Sequence, residues 1–206
     1  MHPVLRTLLA SLVILAAGVA ALAAMTHGFR VYTTEGALRL AVSAHPRPIP
    51  SVVFERADGT LIDTDRWRGQ WLLVDFIYTR CTTYCSAQGS QYAQLQERLP
   101  LLLESGRLRL VSISFDPAHD SAAELAAFQR RSGDRGLGWS AVRTTRPEDL
   151  DTLLRTFGVT VIDDGLGGYE HTVALAVVDP KGRLVRIIDG DAIAEAERYI
   201  RARVQS

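Results

Sequence analysis

The two cysteines of the chain, Cys81 and Cys85, stand four residues apart at the end of the run WLLVDFIYTRCTTYC, Trp71 to Cys85. On regular helix that spacing sets Cβ atoms roughly 5–6 Å apart, whereas a relaxed disulfide needs about 3.5–4.5 Å. A bridge between them requires the loop to deform and would be strained and reducible. A metal ion held by both thiolates spans the wider gap more easily. Thiolates are soft donors that select Cu(I), and they also hold Zn(II) in closed tetrahedral sites. Helix-start amides and Arg80 are expected to favour the thiolate form. A plain structural disulfide is the competing assignment, but across so few residues it closes a tiny loop and stabilises little.

Two thiolates leave a metal site incomplete, so a third donor is sought among the five histidines. His2 and His27 lie in or beside an apolar leader, and His45 lies in a proline-punctuated stretch. His119 sits in DPAHDS and His171 in GGYEHTVAL, each at the border of an apolar run. Which of them faces the cysteines depends on the elements that carry them.

Those elements follow from pattern. Trp71 to Tyr78 is apolar except for Asp75, which predicts a central strand buried on both faces. A helix is expected from about Ser86 to Leu103, with Tyr92, Leu95 and Leu99 inward and Gly89 weakening it by about 1 kcal/mol. Arg107 to Phe115 predicts a second strand, and Ser121 with Glu124 a capping box for a helix to about Arg131. Trp139 to Val142 is a short strand, and Pro147 starts a helix with Leu150, Leu153, Leu154 and Phe157 as its apolar face. Gly158 to Tyr169 is expected as loop, Thr172 to Val178 and Leu184 to Ile188 as strands, and Asp191 as the cap of a terminal helix. Upstream, Val52 to Glu55 and Thr60 to Ile62 flank an Asp58-Gly59 turn as a hairpin.

Strands alternating with helices, then a hairpin and a last helix, indicate an α/β sandwich of the thioredoxin-like (peroxiredoxin-like) type, with the N-terminal β-hairpin as an addition. In that fold the loop before the third strand lies against the cysteines and ordinarily holds a proline. No proline occurs between Pro147 and Pro180, and the slot falls on His171. His171 is therefore the first candidate for the third donor, and His119, at the same end of the sheet, is the reserve.

These features together resemble the Sco (SenC/PrrC-type) copper-chaperone family, which serves assembly of the copper centre of cytochrome oxidase. The similarity covers nearly all of residues 50 to 190 and rests on VDFIYTRCTTYC, LVSISFDPAHDSAAELAAF and YEHTVALAVVDPKGRL. It implies copper, as Cu(I) or Cu(II), held by Cys81, Cys85 and His171, with Asp116 of the Asp-Pro turn beside the site. It implies a copper-accepting oxidase subunit as partner and a periplasmic protein as copper donor. The family pattern places proline after each cysteine, where this chain has Thr82 and Ser86. The alternative activity is thiol–disulfide exchange, with Cys81 attacking, Cys85 resolving, and the copper-site cysteines of the oxidase as substrate. A redox sensor built on the same pair is a third class.

Thr7 to Ala24 carries no charge over eighteen residues, the length of a membrane anchor or signal segment. The expected organisation is a membrane anchor or signal segment over 1–27, a linker over 28–50, extended and proline-punctuated towards Pro50, and the thioredoxin-like domain over 51–206. The expected location is the inner membrane, single-pass, with the domain facing the periplasm. A net charge of zero gives no footing for a nucleic-acid partner.

Overall fold

The computed structural model describes residues 2–26, 28–29, 31–81 and 84–204, with backbone only at 84–88. Residues 1–41 and 42–206 form two compact units. The first holds α1 (Pro3–Met25), none of whose residues is buried, and most of α2 (Thr34–Ala44). By length and composition α1 is able to cross a membrane.

The second unit is built on an eight-stranded sheet. Its strands in chain order are β1 (Arg47–Pro48), β2 (Val53–Arg56), β3 (Leu61–Asp63), β4 (Trp71–Ile77), β5 (Leu108–Ser114), β6 (Trp139–Thr144), β9 (Ala174–Val178) and β10 (Arg183–Asp189), arranged β1-β10-β9-β4-β5-β6-β2-β3. A separate two-stranded hairpin joins β7 (Val161–Asp163) to β8 (Tyr169–His171). The helices are α3 (Tyr84–Arg98), α4 (Pro100–Glu104), α5 (Ala122–Arg131), α6 (Pro147–Phe157) and α7 (Ile193–Val204).

β4 runs parallel to β5 and antiparallel to β9, so it is interior to the sheet, and Leu72 to Ile77 are all buried. Alternate residues of a strand face opposite ways. On one face Tyr92 of α3 donates to the Leu73 carbonyl (3.0 Å), and Tyr92 and Phe128 of α5 meet Trp139 edge-on. On the other, Phe157 of α6 packs on Phe76 at 5.3 Å. The sheet is thus covered on both sides, and the fold is thioredoxin-like, with β2–β3 added as a hairpin on the β6 edge.

Four expectations are corrected. The expected linker is helical over α2, where the Thr33 hydroxyl accepts from the Gly36 amide, and its HPRPIP end supplies β1 to the β10 edge. The helix expected to Leu103 breaks at Leu99, because Pro100 has no N–H to continue the ladder and instead opens α4. The expected loop from Gly158 to Tyr169 contains β7 and the first residue of β8. The terminal helix begins at Ile193, two residues past Asp191, with the Ala192 carbonyl accepting from Glu195 and Ala196. Gly89 has a packing reason: a Cβ there would lie 2.7 Å from that of Ser132, where α3 passes the end of α5.

Asp75 is wholly buried, and among the described residues neither carboxylate oxygen meets a donor in good hydrogen-bond geometry. Burial raises its pKa to about 7, and Ser112 opposite it on β5 offsets this only in part. The folded state holds this proton more tightly than the unfolded chain, so the contribution to stability falls as pH rises from 3.8 to about 7. Asp75→Asn removes that cost, which is on the order of 4 kcal/mol. Urea unfolding between pH 4 and 8 should show the variant gaining on the parent as pH rises; parallel curves would contradict the assignment.

Candidate metal centre

The end of β4 is pinned before it reaches the cysteines. The Thr79 amide and hydroxyl donate to the two oxygens of Asp120 at 3.1 and 2.6 Å, and the Ser114 hydroxyl donates to the same carboxylate at 2.6 Å. Arg131 donates to the Thr79 carbonyl at 3.2 Å. The chain then turns, with the Cys81 amide donating to the Tyr78 carbonyl (3.2 Å), and Cys81 is buried.

Cys81 lines a cavity of about 630 Å³ together with Tyr78, Tyr169, His171, Val173, Asp164 and Glu170. Of the three proposed metal ligands, then, Cys81 and His171 face one space although ninety residues of chain separate them. The backbone of Cys85 lies in the first turn of α3. Its side chain, that of Ser86, and Thr82 and His27 entirely, lie outside the described residues. Among the described residues no cluster of three or more His, Cys, Asp or Glu side chains is close enough to hold a metal.

His171 ends β8 opposite Val161. Its ring lies 4.9 Å from that of Phe115 and 6.2 Å from that of Tyr78, and Tyr169 packs edge-on against both aromatics. Nδ1 is 3.1 Å from the Thr172 carbonyl, which only accepts, so Nδ1 carries the proton and Nε2 is the acceptor nitrogen. Burial lowers the pKa of the ring, against the opposing pull of the Thr172 bond. A neutral imidazole and a thiol facing one cavity are donors suited to a soft or borderline metal ion.

A family model, SCO1/SenC, matches residues 51–205. The chain belongs to the SCO1/SenC family. The SCO1 protein homolog of Bacillus subtilis is 24% identical over 139 residues, 66% of this chain and 71% of that protein. The structure of Bradyrhizobium japonicum ScoI with copper bound superposes with a TM-score of 0.60 at 19% identity, covering 73% of this chain and 98% of that one. A structure of BsSco, described as identifying a disulfide switch in a member of the Sco family of cytochrome c oxidase assembly proteins, gives a TM-score of 0.67 at 20% identity, covering 78% of this chain and 95% of that one. These structures share the fold.

Two further sequence candidates of this Sco family chain, Asp116 and His119, are not among the described residues that line the cavity. Asp116 is 4% exposed and accepts from Arg80 and from His119 Nδ1, each at 2.7 Å. Burial works against its ionised form, but the bonds from His119 and Arg80 outweigh it and hold the carboxyl below the usual range. Burial raises the pKa of the Tyr169 phenol, and the charge of Asp116 adds to it. His119, the reserve ligand, is turned to Asp116. Arg80, expected to favour a thiolate, is also turned to Asp116.

Sequence reasoning missed the aromatic wall of Tyr78, Phe115 and Tyr169 and the anchoring role of Asp120. The wall had a signal, in aromatics placed at or just beyond the ends of two strands and two residues before His171. Asp120 had none that separates it from a solvated turn residue. Asp120→Ala leaves the buried Thr79 and Ser114 donors without their acceptor, and should cost about 3 kcal/mol in urea unfolding, with Asp120→Asn intermediate. A loss below about 1 kcal/mol in Asp120→Ala would show that the β4 end is held by other contacts.

Proposed function

We propose that this protein binds copper through Cys81, Cys85 and His171 and delivers it to the copper centre of cytochrome c oxidase. The observation that carries the reading is the shared cavity of Cys81 and His171, and the backbone of Cys85 follows four residues after Cys81 in the first turn of α3. Copper is the cargo. Two thiolates and a neutral imidazole suit Cu(I), and binding releases the thiol protons. A three-ligand site leaves room for a ligand of the acceptor to enter before a donor of this chain departs. Copper bound to the Bradyrhizobium relative and the oxidase-assembly role of the Sco family support the reading. Asp116, beside the site, sets the charge behind Tyr169. α1 would tether residues 51–206 to the inner membrane on its periplasmic side, where a periplasmic protein loads the copper.

The disulfide switch described for BsSco favours a second reading, thiol–disulfide exchange. The Cys81 thiolate attacks a disulfide of the oxidase subunit, one partner sulfur leaves as thiolate, and Cys85 displaces the other. The partner gains two electrons as a dithiol, and Cys81–Cys85 becomes the disulfide.

Copper stoichiometry under chelator competition separates the two. The parent should retain one equivalent and show intense thiolate-to-copper charge transfer after Cu(II) addition. Cys81→Ser should lose stoichiometric binding, and affinity should fall at least about tenfold in His171→Ala. Unchanged binding in both variants would sink the site, and turnover on a cysteine-pair substrate without retained copper would favour the exchange reading.

A further inference from the structure

We propose that the β7–β8 hairpin is the element by which this protein docks on its copper acceptor, Leu166 at the tip and Ile162 beside it entering an apolar socket ringed by Lys and Arg. The proposal rests on the copper-delivery reading above. Leu166 is 92% exposed and Ile162 56%. An isolated exposed leucine needs no explanation. Here, however, the loop holds the side chain out.

The Gly165 amide donates to Asp163 at 2.7 Å, and the amides of Leu166 and Gly168 donate to Asp164 at 2.7 and 2.9 Å. The Asp164 amide closes the turn onto the Gly168 carbonyl at 3.1 Å. Gly165 and Gly167 take φ of 70° and 88°, a left-handed backbone open to glycine at little cost. An apolar tip already fixed in place loses little conformational freedom when it is buried. Ile162 stands opposite Glu170 in the register, on the hairpin face away from Tyr169 and His171. The same hairpin carries His171 at its base, so a partner seated on the tip lies next to the cavity that Cys81 lines.

Charge supplies the chemistry of the partner. The hairpin from Val161 to His171 carries Asp163, Asp164 and Glu170 and no Lys or Arg, although the whole chain has zero net charge. Asp164 and Glu170 line the cavity itself. An acidic surround to an apolar tip matches a basic surround to an apolar socket, which speeds encounter and fixes orientation.

The test uses full-length copper-loaded protein and the purified copper-accepting domain of the oxidase subunit, with copper counted in each after rapid separation. Leu166→Ser alone and with Ile162→Thr should load copper as the parent does. At sub-saturating acceptor the double variant should transfer about ten- to a hundredfold more slowly, Leu166→Met should keep the parent rate, and added salt should slow the parent. Equal transfer by parent and double variant overturns the docking proposal alone. So does reduced copper loading in the variants, which would place Leu166 in the site, or a rate loss explained by altered self-association. A parent that binds no copper, or binds it and never transfers it, overturns the delivery reading instead.

Discussion

The Asp120 carboxylate is the contact on which the rest of the site is hung. It is wholly buried, and the cost of burying a carboxylate falls when its oxygens are met by donors. Thr79 at the end of β4 and Ser114 at the end of β5 supply them, so one side chain ties together the ends of two parallel strands. The residue after Asp120 is Ser121, which caps α5 by accepting from the Glu124 amide. Strand ends and helix start are therefore set as a group, and the turn into Cys81 leaves the sheet from a defined point.

The far wall of the cavity comes from a different element. His171 comes from a hairpin that pairs with no strand of the main sheet, and its position depends on side-chain packing. Phe115 leaves β5 just beyond Ser114, Tyr78 leaves β4 just before Thr79, and both rings meet His171. The pinned strand ends thus also place the aromatic surface that receives the imidazole. The Thr172 carbonyl then decides which ring nitrogen keeps its proton. Asp116 stands outside this wall, its charge taken up by Arg80 and His119.

Much of this was legible in the sequence because it depends on local pattern. The apolar run ending at Tyr78, the Ser121 cap and the start of α6 at Pro147 each follow from a few adjacent residues. What was not legible depends on distant partners. Nothing local marks Arg47 and Pro48 as a strand; only the free edge of β10 makes them one. The glycines between Val159 and Tyr169 resemble a plain loop, because the pairing of Val161 with His171 is seen only when both are in place. By helix propensity alone Gly89 is a weak point, but Ser132 leaves no room there for a Cβ. The absent proline pointed to His171, which shares a cavity with Cys81, whereas the bond from Arg80 to Asp116, thirty-six residues away, left no local trace.

The central claim is that two sulfur donors from the β4–α3 turn and one imidazole from the β8 end meet on a single copper ion. X-ray absorption at the copper edge of the loaded protein addresses it most directly. The account predicts two sulfur scatterers and one imidazole, with the imidazole signal absent from His171→Ala and the sulfur signal kept. A spectrum of the parent protein with no imidazole scattering, or with nitrogen and oxygen donors alone, would contradict it.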